Sequence, residues 1–275
     1  MNIRENLINA TDNKDTNFIW HENPIIKLET KSNESEIFLG LTKEPLIFLN
    51  DLKLDNRELN LDFLIFASRH TSKTARPAFL VHTTGNWGKD AEFGGEPQSL
   101  SLSSALLLKA GFISFIKTEL FTPLSDFSVD IEVTHHGPTS LEIPLIFMEL
   151  GSSKREWKIA AAGKTVASVI LDTINRYTEY KNLKNQKIGL GFGGTHYCPN
   201  FHRLIQNNDI AISFICPKYY IQDLNNKMIS YMIQNTSEKI DFFMIDWKGT
   251  NSADKNHLIP LLEEFDIPIK KTKDF

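Results

Sequence analysis

Only two cysteines, Cys198 and Cys216, occur in 275 residues, so a disulfide framework is excluded and stability must come from a packed core. No apolar run approaches the roughly 18 residues that a membrane-spanning helix needs. The opening Met1-Asn-Ile-Arg-Glu-Asn-Leu7 lacks the basic-then-apolar pattern of a secretory leader. With so little cysteine, this predicts a reduced, cytoplasmic protein. Internal repeats and low-complexity linkers are lacking. So is a strong charge of either sign: 30 Lys and Arg against 34 Asp and Glu leave −4. A chain so balanced has no general attraction for a polyanion, and a nucleic-acid partner would need a local basic patch.

What is present is ordinary globular material, 41% hydrophobic and 23% charged, enough for a sizeable core. Residues 1–60 are the vaguest part: a short helical pattern at Ile3, Leu7 and Ile8, a turn at Thr11–Thr16, then strand candidates at Phe18–Trp20, Ile25–Leu28 and Glu36–Gly40. Asp62–Ala67 is apolar on both faces, as a strand covered on both sides would be, and Ala78–His82 is a second strand. The glycine-rich segment Thr84–Pro97 reads as a loop too irregular to be buried. A helix is expected over Leu100–Leu120, with Leu102, Leu106, Ala110 and Ile113 on one stripe, and strands at Asp130–His136 and Ile143–Leu150. Then follow a long helix from about Lys154 to Tyr180, strands at Lys187–Phe192, Asp209–Cys216 and Phe242–Asp246, helices at about Tyr219–Gln234 and Ala253–Phe265, and a final edge strand at Ile267–Lys270. Strands alternating with helices predict a three-layer α/β/α architecture with a mixed, largely parallel sheet. Ligands of such sheets collect at the carboxyl ends of strands.

The chain's centre of interest is Ile188-Gly-Leu-Gly-Phe-Gly-Gly-Thr-His-Tyr-Cys-Pro-Asn-Phe201, where an apolar strand stops in glycines and presents His196, Tyr197 and Cys198. Glycine permits positive φ and close approach to a ligand. The pattern Gly189-x-Gly191-x-x-Gly194 mimics a dinucleotide fingerprint, but it lies late in the chain and runs into Tyr197-Cys-Pro199 instead of opening a clear helix. Gly163-Lys-Thr165 resembles the end of a phosphate loop, yet Lys158 stands where its first glycine belongs and the segment lies within a helix. Both are discarded.

Histidines at other strand ends are the stronger signal. His70 follows one buried strand and His82 ends another, while His135 and His136 are consecutive. On an extended strand the last two would point to opposite faces, so both reach one cavity only if the chain bends at Gly137-Pro138. Each could be a single hydrogen-bonded histidine; together they suggest a metal site, since neutral imidazole is the commonest metal ligand and a catalytic zinc takes three protein ligands and keeps a position open. Glu149 is open to three readings: ligand, general base or surface carboxylate. Cys198 beside His196 could be a nucleophile, although a packed thiol is the better reading. Lys248 could hold a phosphate or simply be solvated.

Joint occurrence of Thr134-His-His-Gly-Pro-Thr139 and Gly191-Phe-Gly-Gly-Thr-His-Tyr-Cys-Pro199, with Ser68-Arg-His70, Ser72, Val81-His82, Gly85-Asn86, Pro144, Glu149-Leu-Gly-Ser152, Trp157 and Asp246-Trp-Lys-Gly249 in order, resembles the archaeal- and plant-type D-aminoacyl-tRNA deacylases. The resemblance runs from about residue 60 to the C-terminus and is compatible with a single domain over 1–275. It implies a fold related in outline to peptidyl-tRNA hydrolases and nucleoside phosphorylases, hydrolysis of the ester between a D-amino acid and tRNA, and Zn2+ as cofactor. No membrane and no DNA are expected as partners. The implied metal ligands are drawn from His70, His82, His136 and His196; His196, His136 and Glu149 would be catalytic. Ser68, His70, Gly193, Gly194, Tyr197 and Lys248 would meet the substrate, with amides of the glycine loop steadying the oxyanion. Relatives open with a strand before an Asn-Ile helix, whereas Asn2-Ile3 here enters at the helix, so we expect residues 1–60 to be divergent or truncated and the sheet rearranged or activity impaired. The rival readings are a zinc peptidase or N-acyl amino acid hydrolase using the same histidines, and a tRNA-binding protein without turnover.

Overall fold

The computed structural model describes residues 3–30, 35–54, 59–121, 123–207 and 209–275. Asn2 of the expected helix start lies outside them. Thirteen strands are described, and they form two main sheets. The first has the order β4 (Leu64–Arg69), β9 (Leu145–Gly151), β5 (Ala78–His82), β8 (Ser128–Ile131); β4 and β9 are parallel, β9 and β5 antiparallel, β5 and β8 parallel. The second is all parallel: β11 (Ile210–Cys216), β10 (Lys187–Phe192), β12 (Phe242–Ile245) and the edge strand β13 (Ile269–Lys271). Helices pack on both sides of this mixed α/β arrangement, as the alternation of strands and helices predicts.

The sheets are joined just past β8. Glu132 N–H still donates to Val81 of β5 (3.1 Å), but Val133 N–H donates to His196 (2.9 Å) and Thr134 N–H to Ile215 of β11 (3.1 Å). Residues 132–134 therefore bridge the two sheets, and the histidines directly after them are placed at this seam.

Against the first sheet lie α2 (Ala105–Ile116) and α3 (Ala160–Asn182), with α1 (Ile3–Ala10) packed on α3. Helix α2 begins later than its apolar stripe predicts because Ser104 caps it, accepting from Leu107 N–H at 3.1 Å. Residues 105–115 are all buried, so no single stripe marks its face. Helix α3 also starts later than expected: Ser153 and Glu156 organise a 3-10 turn over Glu156–Lys158, and the extended Ile159 separates it from the helix. Among the described residues the further α-helices are α4 (Pro199–Asn207), α5 (Asn226–Gln234) and α6 (Ser252–Glu263); a 3-10 segment, Lys218–Asp223, replaces the start expected for α5, which Asn225 caps instead.

The other face of the first sheet is covered by a β-meander, β1 (Asp12–Trp20), β2 (Asn23–Glu29) and β3 (Ile37–Leu39), whose Trp20 and Ile25 join Phe66, Leu145 and Phe147 in a second apolar cluster. The polar run Thr11–Thr16 is strand here, except for Thr11 itself, not a turn. Its side chains are mostly exposed, so their polarity reflects solvent. The turn lies at His21–Glu22, both at positive φ as a two-residue hairpin requires. The glycine-rich segment after His82 also departs from expectation, since Thr84–Trp87 is buried. Burial is possible because Trp87 Nε1 donates to Thr134 O (2.7 Å) and Asn86 Nδ2 donates to Gly94 O (2.8 Å) and Glu96 O (3.1 Å), leaving few backbone groups unpaired.

Candidate functional site

The antiparallel register of β5 and β9 puts His82 opposite Phe147 and Leu80 opposite Glu149. Facing residues share a side, so His82 and Glu149 both emerge on the face away from α2, with the His82 ring stacked 5.2 Å from Phe147. Ser68 is the parallel neighbour of Glu149, and His70 lies just beyond it. A Cβ on Gly151 would come within 2.8 Å of His70 Cβ, so the glycine lets His70 lie across the strand end. His136 adopts φ +45°, which turns the chain one residue before Gly137 and brings both consecutive histidines into one cavity. His82 lies 4.2 Å from the His135 ring and 4.8 Å from the His136 ring, and His196 is 4.9 Å from His135.

Three of these rings share one arrangement. Nδ1 of His82 donates to Thr83 O (3.0 Å), Nδ1 of His135 to Val133 O (2.8 Å) and Nδ1 of His136 to Gly137 O (2.7 Å). A carbonyl accepts only, so each Nδ1 carries a proton, and each ring while neutral keeps a lone pair on Nε2. One ring nitrogen from each of the three lies within 4.8 Å of those of the other two. Two overlapping groups, Glu132 with His135 and His196, and His70 with Glu132 and Glu149, meet the same limit.

Two buried carboxylates complete the cavity. Glu132 Oε1 accepts from His196 Nε2 (3.0 Å); its Oε2 lies 3.8 Å from His70 Nδ1 and 4.0 Å from His135 Nε2, without a hydrogen-bond partner. Glu149 Oε2 accepts from His70 Nδ1 (3.1 Å) and is 3.8 Å from His82 Nε2. Nε2 of His70 and of His82 are buried and unpartnered as well. Burial opposes ionisation of Glu149, yet the hydrogen bond from His70 and the nearby His82 ring hold its carboxyl well below the usual range. Burial also pulls His70 and His82 down, but Glu149 and Glu132 outweigh it and raise both. At His135 and His136 desolvation, helped by the neighbouring imidazoles, prevails and keeps both neutral, His136 at about 3 despite the nearby Glu149. Unpaired buried nitrogens beside two carboxylates form a donor set suited to a divalent cation.

At the mouth stands His196, with side chain 37% exposed and Nδ1 3.2 Å from Tyr219 Oη. Burial, with Tyr220 and Cys216 nearby, pushes the Tyr219 hydroxyl up to about 12, so it keeps its proton and donates to Nδ1.

The sequence profile of the D-aminoacyl-tRNA deacylases matches residues 57–270. This chain belongs to that family. It is 32% identical to the D-aminoacyl-tRNA deacylase of Thermococcus onnurineus over 97% of this chain and 93% of the relative, and 31% identical to that of Pyrococcus horikoshii over 98% and 95%. The match to the Methanocaldococcus jannaschii deacylase is 35% over 74% and 79%. Among solved structures, the crystal structure of a conserved protein of unknown function superimposes with a TM-score of 0.81 at 27% identity, covering 99% of this chain and 90% of the other.

Within this deacylase family member, the structure gathers His70, His82, His136, Glu149 and His196 at the seam, but His196 groups with His135 and Glu132 instead of completing one sphere with His70, His82 and His136. Glu132 escaped the sequence reading, which took Asp130–His136 as a strand and gave Glu132 no role. Its signal was a carboxylate in a strand that runs straight into paired histidines. The glycine loop differs most from expectation. Gly193 N–H already donates to Cys216 O (2.8 Å), so it holds no oxyanion. Gly193 and Gly194, at φ +98° and +80°, lie against Thr250 and Asp246, whose carboxylate accepts from Gly249 N–H and Asn200 Nδ2. Lys248 is exposed on that turn. Cys198 is buried, donates to Ile131 O (3.3 Å), and burial raises its thiol well above the usual range, as a packed thiol requires. A helix does follow the glycine pattern, α4, although it opens only at Pro199.

Proposed function

We propose that this chain hydrolyses the ester between a D-amino acid and the terminal ribose of tRNA, in the cavity at the seam of the two sheets, with Zn2+ as its cofactor. The observation that carries the reading is the group His82, His135 and His136, each with Nδ1–H bonded to a carbonyl and a ring nitrogen within 4.8 Å of the others, beside the buried Glu132 and Glu149. Those three nitrogens would hold the ion, and Glu132 and Glu149 would balance its charge. Zinc bound there supplies a Lewis acid and a water whose pKa falls to about 7.

The chain's own residues do the rest. Glu132 Oε1 holds the proton on His196 Nε2 and the Tyr219 hydroxyl donates to Nδ1, so His196 is locked at the mouth with Nε2 able to release or take a proton. Glu149 fixes His70 through Nδ1. Tyr197 flanks the opening with its ring 5.3 Å from His196, where a substrate must pass. Selection between enantiomers falls to the cavity walls, because D and L residues exchange side chain and hydrogen at the carbon next to the ester.

The test is release of amino acid from D-tyrosyl-tRNA and L-tyrosyl-tRNA, before and after chelation. Rapid loss of the D form alone, abolished by chelator and restored by Zn2+, is expected. Cleavage of acyl amino acids or peptides with tRNA untouched would overturn the substrate, and full activity after verified metal removal would overturn the cofactor.

A further inference from the structure

Beyond the ends of β4 and β9 the chain keeps two segments side by side: His70 N–H donates to Leu150 O (3.0 Å) and Ser72 N–H to Ser152 O (3.2 Å). The segments are Arg69-His-Thr-Ser-Lys-Thr-Ala-Arg76 and Ser153-Lys-Arg-Glu-Trp-Lys158. With histidine neutral they carry six cations and one carboxylate, a net +5 within a chain of −4. The remaining residues thus sum to −9, and this rim is a sharp local reversal of the overall charge.

Arg155 is bonded to Glu156 (2.6 Å) and Arg76 to Asp130 (2.5 Å). Arg69, Lys73, Lys154 and Lys158 are exposed, and no carboxylate among the described residues pairs with them. Two aromatic rings alternate with the cations. The Arg69 guanidinium stands 5.0 Å over the Trp157 ring and that of Arg76 stands 5.2 Å over Tyr197. Both rings are tied to the cavity: Trp157 Nε1 donates to His70 O (3.1 Å), and Tyr197 follows His196 in the chain. Unpaired cations interleaved with aromatic rings suit phosphates and unstacked bases together, which neither an acidic peptide nor a lipid surface would use as fully.

We infer that this rim binds the single-stranded 3′ end of the tRNA acceptor arm, with phosphates on Arg69, Lys73, Lys154 and Lys158 and bases against Trp157 and Tyr197, so that the terminal ribose arrives at His70 and His196. The inference rests on the reading of aminoacyl-tRNA as substrate. It also explains how a protein of net −4 engages a polyanion.

The experiment compares Arg69→Gln/Lys154→Gln with Lys184→Gln/Lys187→Gln, the latter exposed pair lying at or before the amino end of β10, away from the strand ends that form the cavity. Binding of uncharged tRNA is measured across a salt series, and KM for D-tyrosyl-tRNA in the same buffers. For the rim variant Kd and KM should rise about tenfold, and the slope of log K against log[salt] should fall by roughly 1.4 to 1.8, the share of two lost phosphate contacts. The β10 pair should behave as wild type. Unchanged Kd and salt slope in the rim variant, or an equal loss in the β10 variant, would overturn the inference. Wild-type turnover separates the two readings: if wild type cleaves D-tyrosyl-tRNA while the rim variant keeps its KM, the interface falls and the reaction stands; if wild type binds tRNA through the rim without cleaving it, the reaction falls and the interface stands.

Discussion

As sequence, the carboxyl ends of β5 and β10 look alike, since each strand runs into histidine within a few residues; in the fold they do different work. At β10, glycine at positive φ lets one turn settle on another, the Gly193 amide is spent on Cys216, and the buried Asp246 is bonded on both oxygens. Thr250 Oγ1 is left without a partner there, a neutral hydroxyl of little use to an ion. At β5 and the neighbouring ends of β8 and β9, the unpartnered atoms are His70 Nε2, His82 Nε2 and Glu132 Oε2. A buried polar atom without a partner costs about 1–3 kcal/mol, more when charged, so several in one cavity mark a place where something else binds. Glycines marked a close approach, as expected, but of backbone to backbone.

The comparison is sharpened most by His82→Gln. His82 is fully buried, belongs to the three-imidazole group, and keeps its Nδ1 on Thr83. Turnover should fall at least about 10³-fold and bound metal should drop, since a metal's catalytic contribution amounts to several kcal/mol. The measurements are single-turnover deacylation and elemental analysis of the purified variant. Retained metal and turnover would remove the cavity from the mechanism and return the β10 turn to contention.

A smaller loss is expected for Glu132→Gln. Its carboxylate orients His196 at 3.0 Å and lies within 4.0 Å of His70 and His135, so the amide would keep the shape and lose the charge. Residues that orient ligands are worth about 10–100-fold in activity or metal affinity. A kcat reduction of that size, with folding unchanged by circular dichroism, is expected; wild-type kinetics would reduce Glu132 to a structural carboxylate.

What could be read in advance follows the range of the forces involved. The strand at Leu145–Gly151 and the edge strand at Ile269–Lys271 were legible because apolar runs and their bounding turns are local signals. The bend that delivers both His135 and His136 was legible as a requirement, and it occurs at His136 itself. Glu132 was not, because its burial depends on residues 132–134 bridging the two sheets, which only the long-range bond of Thr134 to Ile215 reveals. The role of Gly193 was misread for the same reason: Cys216, its partner, is set by the parallel register of β10 and β11.

Gly193→Ala puts that misreading to the test with the smallest expected effect on chemistry. At φ +98° an L side chain is strained, and a Cβ there would stand 2.1 Å from Thr250 Oγ1 and 3.3 Å from Asp246 O. Backbone strain of this kind costs about 1–3 kcal/mol, and each kcal/mol lowers Tm by about 2–4 °C in a chain approaching this size. Thermal unfolding should therefore shift down by several degrees. The folded variant should keep kcat within about tenfold, because the Gly193 amide faces Cys216 and not the histidine cavity. The opposite result, an unchanged Tm with turnover abolished, would mean that the β10 turn meets the reacting ester after all; the two strand ends would then share one function, with the close packing of glycine on Thr250 as its means of positioning.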